Sequence, residues 1–273
     1  MSDESYVPPT RERLVELGDE LFVMGRGDDG GTFTARAGPD VASRVPAAFG
    51  TARHAVETGK SAIDLYMNGR ELVALTLVRA SFEAAITSLW LVQNPEAIRG
   101  FVGEEHRQRR ALSLSMAEAA SESLRTGADR IAHLNESDID TVAKNSARFF
   151  KERCNELNGG KDAYTHYRIL SGMVHPSATL ADFYLEADDS ATMGCSLHYE
   201  PRQVGHDSWL FLTVASMTWA NRALDHLDTG RVHRSRLRSI ARELGIPETL
   251  GLTMEAQMAA KCKKRGQRPR SQG

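Results

Sequence analysis

Four polar side chains lie along one face of a predicted helix. In the segment YTHYRILSGMVHPS they are Tyr164, Arg168, Ser171 and His175, spaced by four, three and four residues. Residues three and four apart are neighbours on a helix surface, so a phenol, a guanidinium, a hydroxyl and an imidazole share one stripe. Arg168 and His175 are two turns, or about 10 Å, apart, and both side chains can reach a common point between them.

The helix is predicted to end at His175. Pro176 follows it and disfavours helical geometry at the residue before it. A helix C-terminus stabilises a protonated imidazole, which is a suitable proton donor or acceptor. The structural interpretation is that His175 only caps the last carbonyls while Arg168 extends into solvent.

A second polar pair interrupts the most apolar stretch of the chain, ELVALTLVRASFEAAITSLWLV. Arg79 and Glu83 are four residues apart, on a face that also carries Leu75 and Ile86. Charges in an apolar stripe are costly unless they are paired and hydrogen-bonded. We therefore expect either a buried ion pair that fixes helix packing or a polar site shared with the 164–177 segment.

These two segments resemble known families. RILSGMVH resembles the R-x(4–6)-H signature of HEPN-type helical bundles, which include many metal-independent ribonucleases of bacterial toxin and phage-defence systems. LVRASFEAA combined with YRILSGMVHPS is also similar to a family of uncharacterised bacterial helical proteins, a domain of unknown function, over about residues 70–185. One position departs from the HEPN pattern, because the residue after the arginine is typically polar there and is Ile169 here.

The resemblance to HEPN ribonucleases implies a mechanism and a set of site residues. His175 would act as general base or acid for attack of a ribose 2′-hydroxyl on the adjacent phosphodiester, and Arg168 would stabilise the charge developing on the phosphate. Supporting roles would fall to Arg79, Glu83, Tyr164 and Ser171. The resemblance further implies RNA as substrate, a homodimer that shares the site, and a neutralising protein partner for a toxin-type effector.

A non-catalytic function is the alternative. In a helical binding or scaffold protein, the same arginine, glutamate and histidine side chains would form a structural network or a ligand pocket. Ile169 weighs against catalysis. A nuclease requires Arg168 and His175 to be open to a groove or dimer cleft, whereas a scaffold would bury both against Glu83.

The whole chain is predicted to be all-α, a HEPN-like helical bundle with at most a small β element near residues 191–200. Apolar periodicity near 3.6 recurs along the sequence, and Gly-containing helix stops follow several segments, at Asn68–Gly69 and at Asn158–Gly159–Gly160 among others. We expect helices through TVAKNSARFFKERCNEL, starting near Ser137, and through TLADFYLEA. The predicted units are an N-terminal helix and loop (1–45), the bundle with the polar site (46–245), and a C-terminal helix with a basic tail expected to be disordered (246–273).

Composition excludes several other classes. The 273 residues carry a net charge of −2, so there is no overall preference for nucleic acid, although the last residues, KCKKRGQRPRSQG, are basic. Cys154, Cys195 and Cys262 are too widely spaced for a disulfide framework or a zinc motif. With no secretory signal, membrane span, metal motif or cofactor motif recognised, we expect a cytoplasmic protein without metal or cofactor.

Overall fold

The computed structural model describes residues 6–27, 32–36, 38, 43–133 and 145–266. The predicted helix start at Ser137 lies outside these residues. So does the final part of the basic tail, 267–273, for which disorder was expected.

The described residues form twelve helices and one two-stranded antiparallel sheet. This confirms the prediction of an all-α protein with a minor β element. The helices are α1 (Arg11–Arg26), α2 (Val45–Met67), α3 (Glu71–Gln93), α4 (Ala97–Ala117), α5 (Glu122–His133), α6 (Asn145–Arg148), α7 (Phe150–Asn155), α8 (Gly160–Val174), α9 (Ala178–Asp182), α10 (Ser208–Leu227), α11 (Arg234–Glu243) and α12 (Met254–Gly266). The strands are β1 (Leu185–Ala187) and β2 (Cys195–Leu197).

The core lies where α1, α2, α3 and α10 pack together. Apolar side chains line the inner faces of these helices, and Phe82 and Trp90 of α3 are among the largest that are fully buried. Gly59 allows close contact, because a Cβ there would lie 2.6 Å from Cγ of Met217 in α10. Asn221 of α10 donates to the carbonyl of Leu21 in α1 at 3.0 Å, which fixes α1 against the core.

α3 occupies the centre of this core. Among the described residues it is the one helix long and apolar enough to cross a membrane, and 61% of its most apolar window is buried inside the bundle. The turn that joins it to α2 contains Gly69 at φ 70°, a left-handed conformation that glycine adopts without strain. The predicted helix stop at this position is confirmed.

The prediction of one continuous helix through residues 145–157 is wrong. Phe149 has extended backbone angles (φ −112°, ψ 124°) and separates α6 from α7. The interruption lets Arg153 of α7 donate to two carbonyls of α6, those of Ser146 at 3.3 Å and Ala147 at 2.9 Å. It also points Phe150 into the core while Phe149 remains exposed. Tertiary contacts therefore override the local helical pattern.

The predicted helix over TLADFYLEA is also wrong at its C-terminal end. Only Ala178–Asp182 is helical, and Leu185–Ala187 forms β1, which pairs with β2 so that Leu185 lies opposite Leu197. Asp188, in the connection between the strands, accepts hydrogen bonds from the hydroxyls of Ser190 and Ser196. These bonds stabilise the hairpin, which extends the predicted β element toward the N-terminus.

Candidate functional site

Helix α8 carries the RILSGMVH motif and has distinct inner and outer faces. It begins after Gly159, which is left-handed (φ 75°), and ends at His175, whose backbone is extended (φ −84°, ψ 149°). This confirms the helix end predicted from Pro176. Leu170 on the inner face is fully buried, whereas Arg168 on the outer face is exposed.

The inner face of α8 is attached to α3 through Arg79. Its Nη2 donates to the hydroxyl of Tyr167 at 2.7 Å, and its guanidinium carbon lies 4.8 Å from the centre of the Tyr167 ring. Such a geometry combines a charge-assisted hydrogen bond with a cation–π contact. Arg79 is thus bound to Tyr167 rather than to Glu83, and its contact with α8 is a packing contact.

An aromatic row continues this attachment. The Tyr167 ring lies 4.5 Å from that of Phe150 and 6.1 Å from that of Tyr164, between ring centres, and Phe150 contacts Phe82 of α3 at 6.3 Å. These separations are within the favourable range for aromatic pairs. Tyr164, predicted to support the site, is therefore a stacking residue on the inner side of α8.

Ser171 is also bound within the helix. Its hydroxyl donates to the carbonyl of Tyr167, one turn earlier, at 2.8 Å. The backbone N–H of His175 donates to the Ser171 carbonyl at 3.2 Å, which closes the last turn. The predicted role of Ser171 as an additional donor to a ligand would require it to leave its own helix carbonyl.

Arg168 and His175 are both exposed to solvent. Neither side chain forms a hydrogen bond or an ion pair with any residue that the structure describes. Between them the outer face of α8 carries Ile169, 45% exposed, and Gly172, where an added Cβ would meet no atom within 4 Å. The predicted pair is accessible, and the surface around it is open.

Glu83 lies elsewhere, in a cavity of about 560 Å³. Its carboxylate forms no hydrogen bond or ion pair within the described part of the chain. The cavity is also lined by His106 and Arg109 of α4 and by Arg148 and Arg153. The structure therefore does not join Glu83 to Arg168 or His175 by any hydrogen bond among the described residues, and no residue of α8 lines the cavity that contains Glu83.

Arg153 is the most buried charge in this cavity, with 8% exposure. Its guanidinium donates to Oγ1 of Thr87 at 2.6 Å as well as to the two α6 carbonyls, and it lies 5.3 Å from the Trp90 ring centre. Burial lowers the pKa of Arg153, and the nearby Glu83 charge opposes that shift. The negative charge of Glu83 thus offsets part of the cost of burying the Arg153 guanidinium.

Sequence reasoning missed Tyr167, Arg153 and the position of His106. Tyr167 is three residues from Tyr164 and could have been identified as a neighbour on the same helix face. Arg153 follows two phenylalanines in FFKERC, a local indication of a buried position. His106 lines the cavity, and nothing in the charged segment EEHRQRR indicates that position.

These features define a class: a helical bundle with a small hairpin, an accessible arginine and histidine on one helix, and a separate polar cavity. A model of a family of unknown function (DUF5677) matches residues 47–192, more than half of the chain, and the protein belongs to this family. The matched region contains both motifs and both predicted pairs. No curated protein and no solved structure matches the chain.

The family region ends before α10 begins. In the structure α10 packs along both α2 and α3, and sixteen of its twenty residues are buried. The helices inside the family region therefore depend on α10 to cover their apolar faces, so the folded unit is larger than the matched region.

Proposed function

We propose that the protein is a metal-independent endoribonuclease of toxin or phage-defence type, with Arg168 and His175 as its catalytic residues. The observation that carries this proposal is that both side chains are exposed and without a hydrogen-bond or ion-pair partner among the described residues. A nuclease requires this access, whereas a structural network would occupy both groups.

In the proposed reaction the imidazole of His175 removes the proton of a ribose 2′-hydroxyl. The 2′-oxygen attacks the adjacent phosphorus, the bond to the 5′-oxygen of the next nucleotide breaks, and that oxygen takes up a proton. Arg168 donates to the phosphate oxygens, where negative charge increases in the transition state. The products are a 2′,3′-cyclic phosphate and a free 5′-hydroxyl.

The supporting residues have more limited roles in this proposal than the sequence implied. Arg79 and Tyr164 act through packing, because they hold Tyr167 and so position α8. Glu83 and Ser171 are not required by the reaction as written. Arg168 and His175 are then the only catalytic residues that one copy of the chain contributes to the proposed reaction.

A homodimer is part of the proposal. Ile169 exposes an apolar side chain beside Arg168, and the open space at Gly172 would let a second helix approach closely. Two copies placed with these faces together would bring two arginines and two histidines to one cleft. The second imidazole would then supply the proton taken up by the 5′-oxygen.

The direct test is incubation of the purified full chain with mixed-sequence RNA in excess EDTA. We expect cleavage that falls by a factor of about 10²–10⁴ in His175→Ala, the range for loss of a general acid or base, and falls strongly in Arg168→Ala. His166→Ala is the matched control, because His166 is exposed on the same helix and its Nδ1 lies 2.9 Å from the Asp162 carbonyl. Absence of cleavage, or equal activity in all variants, would reject the proposal.

The second candidate is a non-catalytic binding protein, and the cavity at Glu83 is the observation that favours it. A volume of about 560 Å³ lined by an imidazole, three arginine and three glutamate side chains suits a small polar ligand, and one of the carboxylates, that of Glu83, has no hydrogen-bond or ion-pair partner among the described residues. This candidate predicts no RNA cleavage. It also predicts that Glu83→Gln changes ligand binding, whereas His175→Ala does not.

A further inference from the structure

Arginine side chains from two distant parts of the sequence meet where α10 ends. Ala35 and Asp228 form an antiparallel backbone bridge. Next to this bridge, the N–H of Arg36 donates to the carbonyl of Leu227 at 2.9 Å. These contacts hold Arg36 beside the last residues of α10.

The loop after α10 positions a second arginine, Arg231. Its φ is 50°, and it is the one non-glycine residue with a positive φ in the described part of the chain. Asp228 maintains this left-handed conformation, because its Oδ2 accepts the backbone N–H of Arg231 at 3.0 Å. Backbone conformations that are rare for a long side chain are concentrated at functional sites. The strained arginine therefore marks this loop as a candidate site.

A turn brings a third arginine next to Arg231. The N–H of Arg234 donates to the carbonyl of Arg231 at 3.3 Å, and such a turn places the two Cα atoms within about 7 Å of each other. Arg36 and Arg234 are exposed and Arg231 is partly exposed, so all three side chains can be reached from solvent. None of their guanidiniums forms a hydrogen bond or an ion pair with the described residues. We call these three residues the arginine cluster.

Two neighbouring side chains at the end of α10 respond to the charges of the cluster. Partial burial and the charges of four arginines lower the pKa of His226 to about 4. The four are Arg231, Arg36, Arg44 and Arg222. Burial raises the pKa of the Asp225 carboxyl, and the charges that oppose this shift are those of Arg222, Arg231, His233 and Arg234. Because such charge effects fade over about 10 Å in salt, the three members of the cluster lie around one point.

Nearby carboxylates do not neutralise the arginine cluster. Asp225 and Glu248 both pair with Arg222, which is not a member of it. Asp228 lies in the same loop, but it is a single negative charge against three guanidiniums. The first turn of α11 contains no acidic residue. The cluster therefore presents excess positive charge to solvent.

The surface next to the cluster is concave. A cavity of about 360 Å³ is lined by the segment 32–34 on one side and by Asp228 and His233 on the other. Its walls thus include residues on both sides of Arg231 and the segment that leads to Arg36. The cavity offers room for the group attached to an anion bound at the cluster.

The compactness of the cluster favours one class of anion. A phosphodiester within a nucleic-acid strand carries one negative charge, and so does a carboxylate. A terminal phosphate or a polyphosphate carries two or more charges on neighbouring oxygens. Guanidiniums bind such oxygens through pairs of parallel N–H donors. Three guanidiniums around one point therefore match a phosphate group of higher charge.

We propose that the arginine cluster binds a terminal phosphate or a polyphosphate group, with Arg36, Arg231 and Arg234 donating to its oxygens. Two sources carry this chemistry, a free nucleotide and the 5′ end of an RNA. The proposal does not depend on ribonuclease activity, since it uses no residue of α8.

Isothermal titration calorimetry of the full chain with inorganic tripolyphosphate, in EDTA at low ionic strength, tests this proposal. We expect binding that weakens as salt is added. Arg36→Gln and Arg231→Asn should each weaken it at least tenfold, because each removes one charged fork of donors. Arg242→Gln is the matched control, because it removes one positive charge from an exposed residue in the last turn of α11. It should change the affinity less than twofold.

Arg231→Asn also separates binding from folding. Asparagine adopts a positive φ more readily than arginine does, so this variant should unfold at the same temperature as the unmodified chain or at a higher one. Weaker binding in a variant of unchanged stability reflects the missing guanidinium.

ATP and a 2′-O-methylated RNA octamer, which lacks the hydroxyl needed for cleavage, distinguish the two sources. A nucleotide site binds ATP and not the octamer. A site for RNA ends binds the octamer more tightly with a 5′-triphosphate than with a 5′-hydroxyl. Both results support the proposal. It is overturned if tripolyphosphate does not bind at millimolar concentration, if neither cluster variant weakens its binding, if Arg242→Gln weakens it equally, or if the octamer binds equally well with either 5′ end.

Discussion

Removing a single oxygen tests whether Arg79 positions α8. Tyr167→Phe deletes the hydroxyl that accepts the 2.7 Å hydrogen bond from Arg79 and keeps the ring that packs against Phe150. A hydrogen bond to a charged group contributes about 1.5–3 kcal/mol, and the Arg79 Nε is already buried without a partner among the described residues. We expect the free energy of unfolding to fall by about 1.5–3 kcal/mol.

Tyr164→Phe is the matched control for this experiment. Tyr164 stacks on Tyr167, but its hydroxyl forms no hydrogen bond with the described residues. Its loss should change stability by less than about 0.5 kcal/mol. Urea unfolding followed by circular dichroism measures both values. Equal destabilisation by the two substitutions would refute the assignment of Arg79 as the anchor of α8.

Further predictions concern two thiols and two glycines. Cys154 is fully buried, and burial raises the pKa of its thiol to about 12, so at pH 8 about one molecule in 10⁴ carries the thiolate. Cys195 is only half-buried. In a Cys262→Ser background, an Ellman assay should therefore label Cys195 first and Cys154 only on unfolding. Rapid labelling of Cys154 in the native protein would contradict its burial. Gly160→Ala would place a Cβ 1.7 Å from the carbonyl oxygen of Cys154, so we expect a loss of about 3 kcal/mol or failure to fold, measured by thermal unfolding. The Cβ added by Gly172→Ala would meet no atom within 4 Å, so we expect the free energy of unfolding of the monomer to rise by about 0.4–1 kcal/mol. A loss of stability would show that the outer face of α8 is covered.

The helix boundaries nearest the motif could be predicted because local chemistry determines them. Gly69 and Gly159 have positive φ and lie where the glycine-containing stops indicated, and Pro176 ends α8 at His175. The interruption at Phe149 could not be predicted in this way. It depends on Arg153 reaching the carbonyls of α6, a contact that becomes visible only after packing.

The candidate site was predictable in part. The exposure of Arg168 and His175 follows from an amphipathic α8 whose buried side carries Leu170. The partner of Arg79 was not predictable. Glu83, four positions along the same helix, is the nearest opposite charge in the sequence, so an ion pair between these two residues was expected. Tyr167, from a different helix, forms the bond instead.

The burial of Asp225 in α10 illustrates the same limit. ALDHLD reads as an ordinary helix end, yet Asp225 within it is 6% exposed and lines a cavity together with residues of α1, α2 and the segment 32–34. Burial that arises from elements about 200 residues apart leaves no local pattern.

The rate of appearance of 2′,3′-cyclic phosphate ends, followed on an end-labelled RNA in EDTA, measures the chemistry assigned to α8 most directly. The account predicts their accumulation with the unmodified chain and with His166→Ala, and a decrease of at least a hundredfold with His175→Ala. Accumulation at the same rate with His175→Ala, or products that end in a 3′-hydroxyl, would contradict it.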